Sequence, residues 1–457
     1  MNIAVGAAVV LGALVAIALL LRALSMRFAV HPELLRKLFH IGAGIVSLSL
    51  PWLFDAVWPI AAMAGLSSAL LLGMRFVPFL RDRVGHLLGG VDRVSWGELY
   101  FPLSVCALFA LSREQPVIYA IPLLILTFAD SLAALIGVSY GRFRYEATEG
   151  NKSVEGSAAF FLVAFLCTHV PLLLGTDTGR AESLLIALIL GILAMLLESV
   201  AWRGLDNLFV PLAAYALLHN FLPLDAGSLV QRFLLTVGAA MALLVLGRRS
   251  TLTQSGLVSA FLVGYFLVVV GGWSWLFPPL LLFLAYRYLT PSSAFDAMRM
   301  HKMRVILAVN LAGLVLVTVS EFVPHPALRF AYFANYAAHL AIIGLVRCQL
   351  HEASCRLLAI VPRESVKAWA VYAVLGGILF WIHGQTMIAL HTGLLVGLGI
   401  VVLAAAYAYA MLVPQSLDAG DHRWHRQAWC AAGAAVLAVL VWFGIAYGVS
   451  LLGEGVA

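Results

Sequence analysis

The chain has 457 residues, of which 63% are hydrophobic and 11% charged, and its formal net charge is +6. A soluble globular chain carries roughly a quarter charged residues, so this one lacks the polar surface that a water-soluble fold requires. Its five cysteines (Cys106, Cys167, Cys348, Cys355 and Cys430) are scattered and odd in number, which gives neither a disulfide framework nor a zinc spacing.

Apolar runs of about 18 or more residues, each able to cross a bilayer as a helix, recur along nearly the whole chain. The alternation expected of a membrane barrel is absent. The fold class is therefore all-α, a polytopic transmembrane helical bundle. We count about sixteen spans, centred near residues 13, 46, 65, 104, 127, 165, 190, 214, 238, 264, 281, 314, 337, 378, 401 and 440. The first run begins at residue 3 without a basic leader or a small-residue cleavage site, and is expected to be a retained helix. Cytoplasmic loops collect Lys and Arg. With the N-terminus outside, all of the 28 basic residues except Arg113, Arg180, Arg232 and Arg329 fall in or beside inside loops. That bias accounts for the net positive charge without a nucleic-acid partner.

Along the chain, the first polar cluster is Arg36-Lys37-Leu38-Phe39-His40, which opens the second span. Lys37, His40 and Gly44 share one helix face. They read either as a basic flank with a snorkelling lysine or as a base and phosphate ligand beside a glycine. Gly97-Glu98 opens the fourth span, where a carboxylate suits the helix dipole. The most informative stretch runs from Asp130 to Ser157. Asp130, Ala134, Gly137 and Gly141 fall on one stripe of the fifth helix. Small residues also mediate plain helix packing in membranes, which explains the stripe but not the aspartate. Lys152 can meet a polyphosphate as a point charge. Glu155, Gly156 and Ser157 begin the next helix, where free N–H groups favour anions. The Walker spacing is absent. A fourth cluster joins Glu198 to Asp206 and Asn207. These last two can cap the eighth helix or complete a divalent-cation site, since Mg²⁺ takes one or two carboxylates plus phosphates and waters.

The chain divides near Pro223–Ser228, giving domains 1–224 and 225–457. In the first, Asp130, Glu155, Glu198 and Asp206 are expected at the inner ends of spans. In the second, Asp225, Asp296, Glu321, Glu352, Glu364, Asp418, Asp421 and Glu454 are expected in loops, at outer edges or at the tail. Ionisable groups at membrane depth mark function by default, so the chemistry is assigned to 1–224. His351 and Cys355 stand four apart without a second pair, and His383, His391, His422 and His425 read as interfacial or packing residues.

RKLFHIGAG (36–44), GELYFPLS (97–104), ADSLAALIGVSYGR (129–142), KSVEGSAAFF (152–161) and ESVAWRGLDNLFVPL (198–212) together resemble the phytol kinase and dolichol kinase family, relatives of the phosphatidate cytidylyltransferases. The cytidylyltransferase signature itself is not present. The second half more loosely resembles the membrane family that includes phytyl-phosphate kinase, through 252–273, 305–310 and 335–344. Ala338, His339 and Ile343 stand in the neighbourhood where that family carries acidic residues. That half is expected to be degenerate or non-catalytic.

The resemblance implies phosphorylation of an isoprenoid or other lipid alcohol (phytol, farnesol or dolichol), commonly with CTP as donor and with ATP as the other nucleotide. In the mechanism we expect, Asp130 and Asp206, with Asn207, hold Mg²⁺, while Lys37 and Lys152 neutralise the nucleotide phosphates. Gly137, Gly141, Gly156 and Ser157 line the nucleotide, and Glu155 or His40 accepts the alcohol proton. The partners are then the lipid alcohol, the nucleotide and membrane lipids. The setting is a multi-pass integral membrane protein, in the inner membrane if bacterial, with its site facing the cytosol. CMP transfer to a lipid phosphate and nucleotide-independent lipid transport are the alternatives.

Overall fold

The apolar runs fold as helices, and each of the expected span centres falls on one. In this computed structural model the residues described are 2–28, 30–76, 96–112, 115–146, 151–246, 252–288, 303–351, 356–382, 388–412 and 422–451. Arg113, Cys355, His383, Asp296, Glu352, Asp418, Asp421 and Glu454, named above, lie outside them. Among the described residues seven helices are long and apolar enough to cross a membrane: Ile3–Arg27, Pro116–Tyr140, Val154–Gly175, Arg180–Val200, Met303–Phe322, Leu390–Leu412 and Arg423–Ser450. The protein is an integral membrane protein, and among the described residues it is helical apart from one short hairpin and short connections.

The chain folds as two compact units, Met1–Leu244 and Val245–Ala457. In the first, α1 (Ile3–Arg27) packs on α2 (Pro32–Leu48), followed by α3 (Leu50–Leu53), α4 (Val57–Phe76) and α5 (Gly97–Leu111). α6 (Pro116–Leu124), a π-helical turn (Ile125–Ala129) and α7 (Asp130–Tyr140) form one continuous rod. Then come β1 (Arg144–Glu146), β2 (Asn151–Ser153), α8 (Val154–Gly175), α9 (Arg180–Val200), α10 (Asp206–Phe221) and α11 (Ala226–Leu246). Starts are marked by caps that the sequence supplies. Asn2 accepts from the Ala4 N–H at 2.9 Å, and His31 Nδ1 accepts from Glu33 N–H at 3.2 Å ahead of Pro32. Such caps satisfy N–H groups left over in the first turn. Leu108, Tyr119, Leu123 and Leu126 fill the core between α5 and the rod.

The second unit comprises α12 (Gln254–Phe266) with a π turn (Leu267–Gly271), α13 (Trp273–Tyr288), α14 (Met303–Phe322), α15 (Pro326–His351), α16 (Leu357–Ile382), α17 (Ile388–Leu412) and α18 (His422–Leu451). Its core is centred on α15, where Tyr332 and Tyr336 are fully buried together with Tyr372 and Tyr409 from α16 and α17. Each buried phenol on α15 finds a partner: Tyr332 donates to the Trp275 carbonyl at 2.6 Å and Tyr336 to Asn310 Oδ1 at 2.8 Å. His339 is buried with Nδ1 2.9 Å from Gln427 Nε2, in keeping with a packing histidine. One expectation is overturned. Glu364 is not at an edge but inside α16, 3% exposed and 2.9 Å from both Arg363 and Lys367. Cations on its own helix make burial of that carboxylate tolerable.

Candidate active site

Among the described residues, the first unit holds two lysine–carboxylate pairs. Lys37, in the second turn of α2, reaches across to the rod and places Nζ 2.6 Å from Asp130 Oδ2. Its side chain is 4% exposed and that of Asp130 14%. Asp130 follows directly on the π turn, an irregularity that often accompanies functional positions. It lies about 15 Å before the rod's end at Tyr140. A π turn keeps backbone hydrogen bonding continuous through that depth, and the lysine supplies the compensating charge. His40, one turn beyond Lys37, places Nε2 3.1 Å from the Leu126 carbonyl and 3.9 Å from Asp130 Oδ2. Its ring meets Phe101 edge-on at 5.0 Å.

The second pair stands at the hairpin. β1 and β2 run antiparallel with Tyr145 opposite Lys152, and Lys152 reaches Glu198 near the end of α9. Its Nζ lies 2.5 Å from both Glu198 Oε1 and the Glu198 carbonyl. Tyr145 hydroxyl meets Ser157 Oγ at 2.7 Å. Ser153 caps α8, accepting from Gly156 N–H at 3.1 Å, and Glu155 Oε1 accepts from Phe143 N–H at 3.3 Å. Glu155 thus ties the root of the hairpin to the helix that follows.

Asp206 joins the two pairs. It opens α10, within electrostatic reach of Asp130, Lys37, Lys152 and Glu198. The capping role open to Asp206 and Asn207 is not taken up, since α10 has no side-chain cap. Asp206 Oδ1 and Asn207 Oδ1 are instead buried, with no hydrogen-bond partner among the described residues. The turn before them is tightly wound, with Arg203 at φ 52° and Gly204 at φ 80°. A left-handed non-glycine residue is uncommon and costs free energy. The Arg203 carbonyl accepts from Trp96 N–H at 3.1 Å, which ties this turn to the start of α5. An unpartnered carboxylate oxygen and an unpartnered amide oxygen, side by side in sequence, fit a hard divalent cation. Among the described residues, no three His, Cys, Asp or Glu side chains converge as a complete metal site.

The glycines have a plainer use. A Cβ on Gly137 would stand 3.2 Å from Ser153 Oγ, and one on Gly156 would stand 3.0 Å from the Ala133 carbonyl and 3.3 Å from the Gly137 α-carbon. A Cβ on Gly141 would overlap the Gly137 carbonyl and Ser153. The stripe therefore lets α7, β2 and α8 approach closely, the packing role of small residues in membranes. Gly44 does the same against Thr127. The Glu198 contact, the Tyr145–Ser157 bond and the hairpin were not foreseen as parts of the site.

Fold and site together define an integral membrane protein with a charged, partly buried centre built from one unit. Over 216 residues, 46% of this chain and 88% of the relative, the chain is 38% identical to phytol kinase from Synechocystis sp. (strain ATCC 27184 / PCC 6803 / Kazusa). Over 145 residues it is 26% identical to CTP-dependent diacylglycerol kinase 1 from Schizosaccharomyces pombe (strain 972 / ATCC 24843), which covers 30% of this chain and 65% of that one. Through its N-terminal part the chain belongs to the phytol kinase and dolichol kinase family of membrane lipid kinases. No family model matches the chain. No solved structure matches it.

Proposed function

We propose that the first unit transfers the γ-phosphoryl group of a nucleotide, CTP before ATP, to the hydroxyl of an isoprenoid or other lipid alcohol such as phytol, farnesol or dolichol. The observation that carries this reading is that Lys37 and Lys152, each on a carboxylate partner, both lie within electrostatic reach of Asp206. Phosphoryl transfer asks mainly for positioning and for neutralisation of polyphosphate charge. Two lysines supply that charge. The relatives' names agree with a lipid kinase, and one of them names CTP.

In the proposed arrangement Lys152 meets the nucleotide phosphates. A lysine ammonium has three donors; Glu198 occupies two of them, which leaves one for a phosphate oxygen. Asp206 and Asn207, with Asp130, would hold Mg²⁺, which when bound neutralises charge on the transferring phosphates. Lys37 holds the Asp130 carboxylate in place. His40 accepts the alcohol proton: with its Nε2–H given to the Leu126 carbonyl, the neutral ring keeps Nδ1 as acceptor. Glu155 anchors the hairpin, and Gly137, Gly141 and Gly156 bring the hairpin and α8 against the rod. The charge bias supports a site on the cytosolic side. Residues 225–457 serve as a partner domain without catalysis.

The test is product analysis by lipid mass spectrometry, with purified full-length protein, a panel of lipid alcohols, and CTP or ATP. A phosphorylated alcohol supports the reading. A cytidylylated lipid, or nucleotide-independent lipid movement in liposomes with no new product, overturns it.

A further inference from the structure

The segments that lead into and out of the hairpin expose an apolar surface that phosphate handling does not use. Val138 is 69% exposed, Tyr140 72%, Phe143 72% and Val154 53%. Tyr140 ends one helix long and apolar enough to cross a bilayer, and Val154 begins the next. This surface therefore lies where two spans leave the hydrocarbon. Phe143 and Val154 are held side by side, the Val154 N–H donating to the Phe143 carbonyl at 2.9 Å. Glu155 takes the Phe143 N–H, so the backbone is fixed on both sides of that ring. Arg142 and Arg144 flank Phe143 and are exposed as well.

We infer that this hairpin is seated in the headgroup layer of the bilayer. Tyr140, Phe143 and Val154 rest at the acyl boundary, and Arg142 and Arg144 bind the phosphates of anionic lipids. Aromatic rings are enriched at that depth, and basic side chains there are drawn to anionic headgroups. The lipid is the occupant because the patch continues the lipid-facing surface of two spans and carries two exposed cations. The seating sets the depth of the residues on the same hairpin: Lys152, opposite Tyr145, stands where a lipid hydroxyl meets water. The inference itself does not require the kinase reading.

The experiment places p-benzoylphenylalanine at position 143 of the full-length protein in nanodiscs of equal phosphatidylglycerol and phosphatidylcholine. An exposed ring can be exchanged without disturbing packing. After irradiation, mass spectrometry is expected to find lipid adducts, with phosphatidylglycerol favoured several-fold. The preference is expected to vanish in the Arg142→Gln/Arg144→Gln form. Adducts only to protein, or quenching by water without lipid adducts, overturn the seating. Equal adducts of the two lipids in the parent overturn the role given to the arginines.

Discussion

Lys37 and Asp130, 93 positions apart in the chain, meet at 2.6 Å inside the first unit. Removing one partner of a buried ion pair leaves an uncompensated charge and costs about 3–5 kcal/mol. Lys37→Met and Asp130→Leu are each expected to lower the thermal midpoint of the detergent-solubilised protein. The double variant is expected to be more stable than the sum of the two losses implies. Strict additivity would show that the pair contributes no coupling.

Lys152 and Glu198 make a more exposed pair, with side chains 25% and 14% accessible. Glu198→Ala removes the carboxylate that holds the lysine and leaves only the backbone carbonyl as acceptor; it is expected to raise the KM for nucleotide on the order of tenfold, with a smaller change in kcat. Glu198→Gln keeps an oxygen in place and is expected to recover part of that loss. Steady-state kinetics with nucleotide as the varied substrate separates the two effects. Equal kcat and KM for all three proteins would remove Glu198 from the site.

Gly44 and Thr127 test the packing beneath the site. A Cβ at Gly44 would overlap the Thr127 side chain. Overpacking costs about 1–3 kcal/mol, so Gly44→Ala is expected to lower the unfolding midpoint, and Thr127→Ala in the same chain to restore part of it. Failure of the second change to help would mean that the two helices separate freely here.

In the second unit, Tyr336→Phe removes the bond to Asn310 Oδ1 and leaves a buried acceptor unpaired, a loss of about 1–3 kcal/mol. Kinase turnover per folded molecule is expected to stay at the parent level. A fall in turnover without a fall in stability would give residues 225–457 a direct part in the reaction.

How much of this was legible follows from what sequence patterns encode. Helical spacing put Lys37 and His40 on one face, and polarity in an apolar run singled out Asp130. Their meeting could not be read, because nothing local joins residues 93 positions apart. The π turn before Asp130 has no sequence period of its own. The hairpin strands hold three residues each, too few for an alternating pattern to show, so Lys152 read as a phosphate-meeting charge without a strand to carry it. Its partner Glu198 was visible as a charged residue near a span end, but the ion pair depends on how the hairpin folds back. The glycine stripe was legible as small residues, whereas its use in packing emerged only with Ser153 and Gly156 set against it. Glu364 was misplaced because α16 begins earlier than its apolar centre near residue 378 suggests, at Leu357.

The most direct test of the central claim is single-turnover transfer of label from γ-labelled CTP to a lipid alcohol by the full-length protein, compared with Asp130→Asn and Lys152→Ala. The expected result is γ-label in the lipid with the parent and a loss of at least about a hundredfold with each variant, the scale on which removing preorganised charge slows catalysis. Full activity in either variant, or label reaching the lipid only from the α position, would contradict it.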